Sequence, residues 1–221
     1  MKAALFDLDG VIVDTAKYHY IAWKEMANGL GFDITPEQNE RLKGVSRMES
    51  LDIILGIGGV LVSEEERARL GASKNQRYVE LVSQMDSSET LPGAREYLEL
   101  LRRRGVKVAL GSASKNAGMI LDRLGIWSLF DAVIDGTKVS KSKPDPEVFL
   151  LGAKAVAVEP ALCVVYEDAA AGVEAAKAAG MSAVGIGLAE NLPGADLVVP
   201  GLYALLTEST SSSDGFTAPL V

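Results

Sequence analysis

Short apolar runs with almost no alternation recur along the chain, at residues 2–6, 106–113, 131–135, 161–167, 182–187 and 195–199. A strand covered on one face alternates polar and apolar residues, whereas a strand covered on both faces does not. These runs therefore predict a sheet buried on both sides. Between them, residues 93–104, 115–124, 145–157 and 169–180 carry apolar positions at helical spacing. Strand then helix, repeated, predicts an α/β fold with a Rossmann-like parallel sheet core and helices on both faces.

Residues 15–90 break that rhythm. The segment "TAKYHYIAWKEMANGLG" places Tyr18, Ala22 and Met26 on one helical stripe, with Trp23, Ala27 and Leu30 beside it. Further helices are expected over 36–42, 47–56 and 63–85, the last opened by Ser63 with Glu66 in capping-box spacing. No strand pattern interrupts them. The expected organisation is a core domain from 1–14 and 91–209 with a helical cap domain, 15–90, inserted after the first strand. Hinges fall near Val13–Thr15 and Thr90–Gly93. The serine- and threonine-rich tail, 210–221, loses periodicity and is expected to be disordered.

Length and composition bear on partners. With 221 residues, 48% of them apolar, the chain can build a sizeable core and a smaller second body. A net charge of -8 without a basic block argues against nucleic acid or an anionic membrane as partner. The single cysteine, Cys163 in "ALCVVY", has no internal disulfide partner and reads as core. The first residues lack a signal peptide's long apolar segment, and no later stretch reaches a membrane-spanning length. A cytoplasmic location is expected, and with no amphipathic surplus, a monomer.

In open parallel sheets, ligands gather at the carboxyl ends of strands. Asp7 and Asp9 fall at the end of the first run, Ser112 near the end of the second, and Glu167 with Asp168 at the end of "ALCVVYE". Four acidic groups converging there would need a cation, and an all-oxygen donor set favours magnesium over zinc. Because the chain must turn at Gly10, one of the first pair can hold the metal by its side chain while the other offers only its backbone carbonyl. That frees one carboxyl for proton transfer and leaves the other for attack on phosphorus. Taken singly, Asp7 and Asp9 could instead form a strand-end turn, and Glu167 and Asp168 a cap for the helix at 169–180. The helix start after Ser112 offers free N–H groups to a phosphate, and the prolines of "KSKPDP" allow Lys143 to be aimed.

The segments "FDLDGVIVDT", "GSASK", "SKPDPEVF" and "YEDAAAGVEAAKAAG" resemble, in order, the four motifs of the haloacid dehalogenase (HAD) superfamily. The helical insert resembles the C1 cap of its phosphonatase-like subfamily. The resemblance implies a HAD-like core in which Asp7 is the nucleophile that forms an aspartyl phosphate. It makes Asp9 the general acid and base, with its backbone carbonyl on Mg²⁺. Ser112 and Lys143 would hold the phosphoryl group, and Glu167 and Asp168 would complete the metal site.

Further segments resemble the sugar-phosphate mutases of that subfamily. "DTAKYHYIAWKEMA" carries Thr15, His19 and Trp23 in register, with Thr15 and His19 among the catalytic residues and His19 joining Asp9 and the backbone near Thr15 when the cap closes, which helps to orient Asp9. "RLKGVSRMESLDIIL" places Arg47 to grip the distal phosphate, with Gly44 beside it and Lys43 open between added charge and surface. "ASKNQRYVELV" carries Lys74 facing the active site, and "GSASKNAG" brings Ala113, Ser114, Lys115 and Asn116 to the substrate. The implied reaction interconverts beta-D-glucose 1-phosphate and D-glucose 6-phosphate through an aspartyl phosphate and a bisphosphate intermediate. Small sugar phosphates would be its partners, and glucose 1,6-bisphosphate its priming phosphoryl donor. A sugar-phosphate or phosphoglycolate-type phosphatase is the alternative on the same carboxylates. The chain departs from the family pattern at Ala169, in place of a serine, and at Met48, in place of an acid.

Overall fold

The first apolar run divides by parity. In β1 (Ala3–Phe6), Ala4 and Phe6 enter one buried cluster while Ala3 and Leu5 enter another on the opposite side. Every position of such a strand gains from an apolar side chain, which is why the run does not alternate. The protein is described here by a computed structural model covering residues 1–42 and 45–207. Around β1 stand β2 (Lys107–Gly111), β3 (Ala132–Ile134), β4 (Cys163–Glu167), β5 (Ser182–Ile186) and β6 (Leu197–Val199). Their order is β3-β2-β1-β4-β5-β6, and every pair is parallel. Ala4 lies opposite Val108 on one side and Val164 on the other. The winding reverses across β1 and β4, and that is where an open α/β sheet forms its crevice.

Of the helices between β1 and β2, the first four are α1 (Ala16–Gly29), α2 (Pro36–Glu40), α3 (Arg47–Gly58) and α4 (Glu64–Val82). Trp23, Ile34, Leu51, Ile54 and Leu70 meet in a cluster of their own, so these helices form a cap with its own core. Local sequence starts and stops them. Thr35 with Gln38 and Ser46 with Glu49 make reciprocal capping boxes, and Gly59, at a φ of 62°, ends α3. The capping-box spacing at Ser63 is only half used. Its hydroxyl accepts from the Glu66 N–H, but the Glu66 carboxylate turns to Arg69 instead. The two crossings between cap and sheet run side by side, with the Leu91 N–H donating to the Ile12 carbonyl at 2.9 Å.

On the sheet, α5 (Ala94–Arg103) and α6 (Ala117–Leu124) cover the face of Phe6, while α7 (Glu147–Ala155) and α8 (Ala170–Ala178) cover that of Leu5. Phe6 stacks on Tyr166 at 4.5 Å, and the Tyr166 hydroxyl lies 2.7 Å from that of Tyr97. Truncating Phe6 to alanine would cost about 3–5 kcal/mol through the cavity left behind. A short α9 (Ala204–Thr207) follows β6, where the sequence showed no helical pattern. One strand ends well before its apolar run: β2 stops at Gly111, and residues 112 and 113 already belong to the loop at the sheet end. The expected tail at 210–221, and Lys43 and Gly44 in the cap, lie outside the described residues. Among the described residues, no helix is long and apolar enough to cross a membrane.

Candidate active site

Past β1 the chain turns sharply at Gly10, whose φ is 77°. A Cβ there would stand 2.1 Å from the Asp168 carboxylate, so the position tolerates only glycine. This turn brings the end of β1 against the end of β4. Asp7 Oδ1 accepts a hydrogen bond from Lys143 Nζ at 2.6 Å, and the same ammonium lies 2.5 Å from Glu167 Oε1. Asp7 Oδ2 accepts from the Asp9 N–H at 3.1 Å. Burial works against the charge of Lys143, but Asp7 and Glu167 outweigh it and hold the ammonium above its ordinary pKa.

Asp7, Glu167 and Asp168 each offer a carboxylate oxygen, and these atoms lie within 4.8 Å of one another. Three carboxylates against the Lys143 ammonium leave about two negative charges, in line with burial first, then neighbouring carboxylates, raising Glu167 to about 7. The donor set is all hard oxygen. It fits a divalent cation of the magnesium type, held by Asp7, Glu167 and Asp168.

Asp9 takes a different direction. Its side chain is not one of the clustered ligands, and its Oδ1 accepts from the buried hydroxyl of Thr15. Thr15 stands at the start of α1 yet makes no side-chain cap, because its hydroxyl is committed to Asp9. Burial and the nearby Asp7 raise the Asp9 carboxyl to about 7, against the Thr15 bond. A group poised there can carry or release a proton at neutral pH. The helix-capping alternative for Glu167 and Asp168 gives way to a simpler arrangement. Ala169 is the residue that precedes α8, and its N–H donates to Glu167 Oε2 at 2.9 Å.

Above the strand ends the cap closes a cavity of about 300 Å³. Asp7, Asp9 and Lys143 form its floor, and Arg47, Lys74 and His19 reach it from the cap. Lys74 is buried, with its Nζ 2.7 Å from His19 Nδ1 and 4.3 Å from the centre of the Trp23 ring. Burial first, then Arg47, brings Lys74 down to about 7. His19 stacks on Tyr78 at 4.1 Å. Burial, Lys74 and Arg47 together push its pKa well below the ordinary value, so the ring is neutral. While Lys74 is an ammonium it only donates, and in that state Nδ1 accepts and the ring proton sits on Nε2.

Ala113, Ser114, Lys115 and Asn116 border the cavity in the loop after β2. Gly136 admits that loop: a Cβ at 136 would stand 2.2 Å from the Ala113 carbonyl oxygen. Trp23 also borders the cavity. Ser112 lies beneath it, buried, with its Oγ accepting from the Ser114 N–H at 3.1 Å. Asn75 and Asn39 are among the cavity residues that sequence reasoning did not single out. Asn75, beside Lys74, accepts a 2.9 Å hydrogen bond from Asn116 Nδ2 and so joins cap to core. Asn39 is buried in the short helix α2. The only sequence signal for either is an amide at a position that packing would otherwise fill with an apolar side chain.

A family model for haloacid dehalogenase-like hydrolases matches residues 1–180. The beta-phosphoglucomutase of Bacillus subtilis is 46% identical over 201 residues, covering 90% of this chain and 89% of its own. A phosphorylated carbohydrates phosphatase of Thermotoga maritima is 33% identical over 210 residues, covering 93% and 94%. Among solved structures, a beta-phosphoglucomutase from Clostridium difficile superposes with a TM-score of 0.90 at 46% identity, covering 95% of each chain. With Lys143 and the cluster of Asp7, Glu167 and Asp168 gathered at the carboxyl ends of a parallel sheet under a helical cap, the chain belongs to the haloacid dehalogenase-like hydrolase family.

Proposed function

We propose that this protein is a sugar-phosphate mutase that interconverts beta-D-glucose 1-phosphate and D-glucose 6-phosphate through phospho-Asp7 and beta-glucose 1,6-bisphosphate. The observation that carries the reading is a cavity between core and cap with phosphoryl-transfer groups on its core side and the cationic side chains Arg47 and Lys74 on its cap side. A bisphosphate needs charge at both ends. The likeness to two beta-phosphoglucomutases supports the same choice.

Phospho-Asp7, primed by glucose 1,6-bisphosphate, meets the C6 hydroxyl of beta-glucose 1-phosphate. The hydroxyl oxygen forms a bond to phosphorus, the bond from phosphorus to the Asp7 oxygen breaks, and Asp9 takes the hydroxyl proton. The bisphosphate turns over, and Asp7 attacks the phosphorus on C1. The C1 oxygen then leaves with the proton returned by Asp9, giving glucose 6-phosphate and phospho-Asp7. A Mg²⁺ held by Asp7, Glu167 and Asp168 would neutralise phosphoryl oxygens, with the Asp9 backbone carbonyl as a further ligand. Lys143 holds Asp7 and meets the same oxygens. Thr15 orients Asp9, and Arg47, whose charge burial disfavours, gains from a phosphate that replaces lost water. Closure of the cap over 15–90 keeps water from phospho-Asp7 until a sugar arrives.

The test is a paired assay with Mg²⁺ and a trace of glucose 1,6-bisphosphate, given beta- or alpha-glucose 1-phosphate, following glucose 6-phosphate and inorganic phosphate together. Glucose 6-phosphate from the beta anomer with little free phosphate is expected. Dominant release of inorganic phosphate would replace the mutase with a phosphatase on the same carboxylates.

A further inference from the structure

The cap helix α2 brings an unpaired amide oxygen to the wall of the cavity. Asn39 is only 6% exposed, it borders the cavity, and its Oδ1 is buried without a hydrogen-bond partner. A buried acceptor left unpaired destabilises the free protein, so its presence calls for a reason.

The residue's position is set without the side chain. Thr35 and Gln38 cap α2 reciprocally, with Gln38 Oε1 accepting from the Thr35 N–H at 2.8 Å. The Asn39 N–H donates to the Thr35 carbonyl at 3.1 Å, and the Asn39 carbonyl accepts from the Leu42 N–H at 3.0 Å. Ile34 and Leu42, flanking the helix, anchor it in the cap core. The amide is therefore held at the cavity wall by its backbone, and its Oδ1 serves no helix end.

The chemistry of that atom narrows the ligand group. Phosphate oxygens accept hydrogen bonds, so an amide oxygen gains nothing from them. Lys74, the buried ammonium of this wall, is already bonded to His19. No side chain of the wall donates to Asn39 Oδ1 in the free protein, and the donor that a sugar phosphate brings is a hydroxyl.

We propose that Asn39 determines sugar specificity by accepting a hydrogen bond from a ring hydroxyl of the bound hexose phosphate. This rests on the sugar-phosphate reading of the cavity above. Arg47 and Lys74 read the anion, while Asn39 reads the sugar. A site built to pair with a hydroxyl rejects the analogue that lacks it, because the acceptor is then stranded again.

The experiment compares wild type with Asn39→Leu, which fills the same space without the acceptor, and with Asn39→Ala as a second variant should the first not fold. Each is given beta-glucose 1-phosphate and its 2-, 3- and 4-deoxy counterparts, and phosphorus NMR follows both the 6-phosphate and inorganic phosphate. On the parent sugar, loss of the acceptor should lower kcat/KM about tenfold. On the one deoxy sugar whose missing hydroxyl Asn39 pairs with, wild type and variant should agree within about twofold. The unliganded Asn39→Leu protein should melt no lower than wild type, since an unpaired buried acceptor has been removed. An unchanged kcat/KM on the parent sugar, or an equal loss on all three deoxy sugars, would overturn the proposal. If wild type releases inorganic phosphate instead of isomerising, the mutase reading fails alone, and the same comparison on released phosphate still decides the role of Asn39. No turnover of any of these sugars would overturn both.

Discussion

Lys74 Nζ lies 2.7 Å from Nδ1 of His19, joining α4 to α1 at the cavity that Asp9 also lines. Both side chains are basic and both are held below their ordinary pKa by burial, so the cap carries a charge it can complete when an anion arrives.

That pair sets a pH dependence. Lys74 titrates near 7 in the folded protein, against its ordinary 10.5. Between those values the unfolded chain binds more protons, so this group's contribution makes stability rise with pH across that window and stay flat below it. Anion binding favours the ammonium, so a sugar phosphate should bind with uptake of a proton at about pH 8. Calorimetric titration in buffers of differing ionisation enthalpy measures that uptake. Lys74→Met should abolish its share, and an unchanged uptake would assign it elsewhere.

Asp7 Oδ1 is bonded to Lys143 at the floor of the cavity, and Asp7 is the proposed nucleophile. Asp7→Asn should lower turnover by about 10⁴-fold or more. Intact-mass analysis after exposure to glucose 1,6-bisphosphate should show an added phosphoryl group on wild type and none on the variant.

Thr15 donates to Asp9 and opposes the rise of its pKa. Thr15→Val keeps the shape and removes the bond, so Asp9 should titrate higher. The acid limb of the pH profile of kcat/KM should move upward, with kcat falling about 10–100-fold. A profile that stays in place would show that Thr15 does not act through Asp9.

Arg47 reaches the cavity from the start of α3, remote from the Asp7–Lys143 contact. Arg47→Ala should lower kcat/KM for the sugar phosphate by about 10–100-fold, the worth of charge-assisted hydrogen bonds. Phosphorylation of Asp7 by acetyl phosphate, which has no distal phosphate, should be nearly unaffected. Equal losses in both reactions would place Arg47 in the transfer chemistry instead.

Asp7, Glu167 and Asp168 converge with excess negative charge. Millimolar Mg²⁺ should therefore raise the melting temperature, because the ion binds the folded state alone. Asp168→Ala should remove that rise, and chelation should abolish turnover of the wild type. A melting temperature indifferent to Mg²⁺ would count against a divalent site here.

Much of the fold was legible because burial on both faces of a sheet leaves a local trace. The runs at 2–6 and 161–167 became β1 and β4, trimmed by one or two residues at the start and ending where the runs end, so that the acids fall at the crevice. The cap helices were equally legible where Ser46 and Thr35 open them, because capping is a contact across three residues. Glu66 was read less well. Arg69 on its own helix drew its carboxylate away from Ser63, a competition that spacing alone does not rank.

By itself the sequence determined the elements, their alternation, and the acids that close β1 and β4, because periodicity and strand-end position are local properties of the chain. Only the tertiary structure decided which of the paired acids faces which neighbour. Asp7 turns to Lys143, 136 residues away, and Asp9 to Thr15. The convergence of Lys74 on His19, the bond from Asn116 to Asn75, and the unpaired oxygen of Asn39 were likewise decided there. Each depends on how the cap helices settle over the sheet. That docking is a balance of burial and charge among residues far apart in sequence, and no local pattern records it.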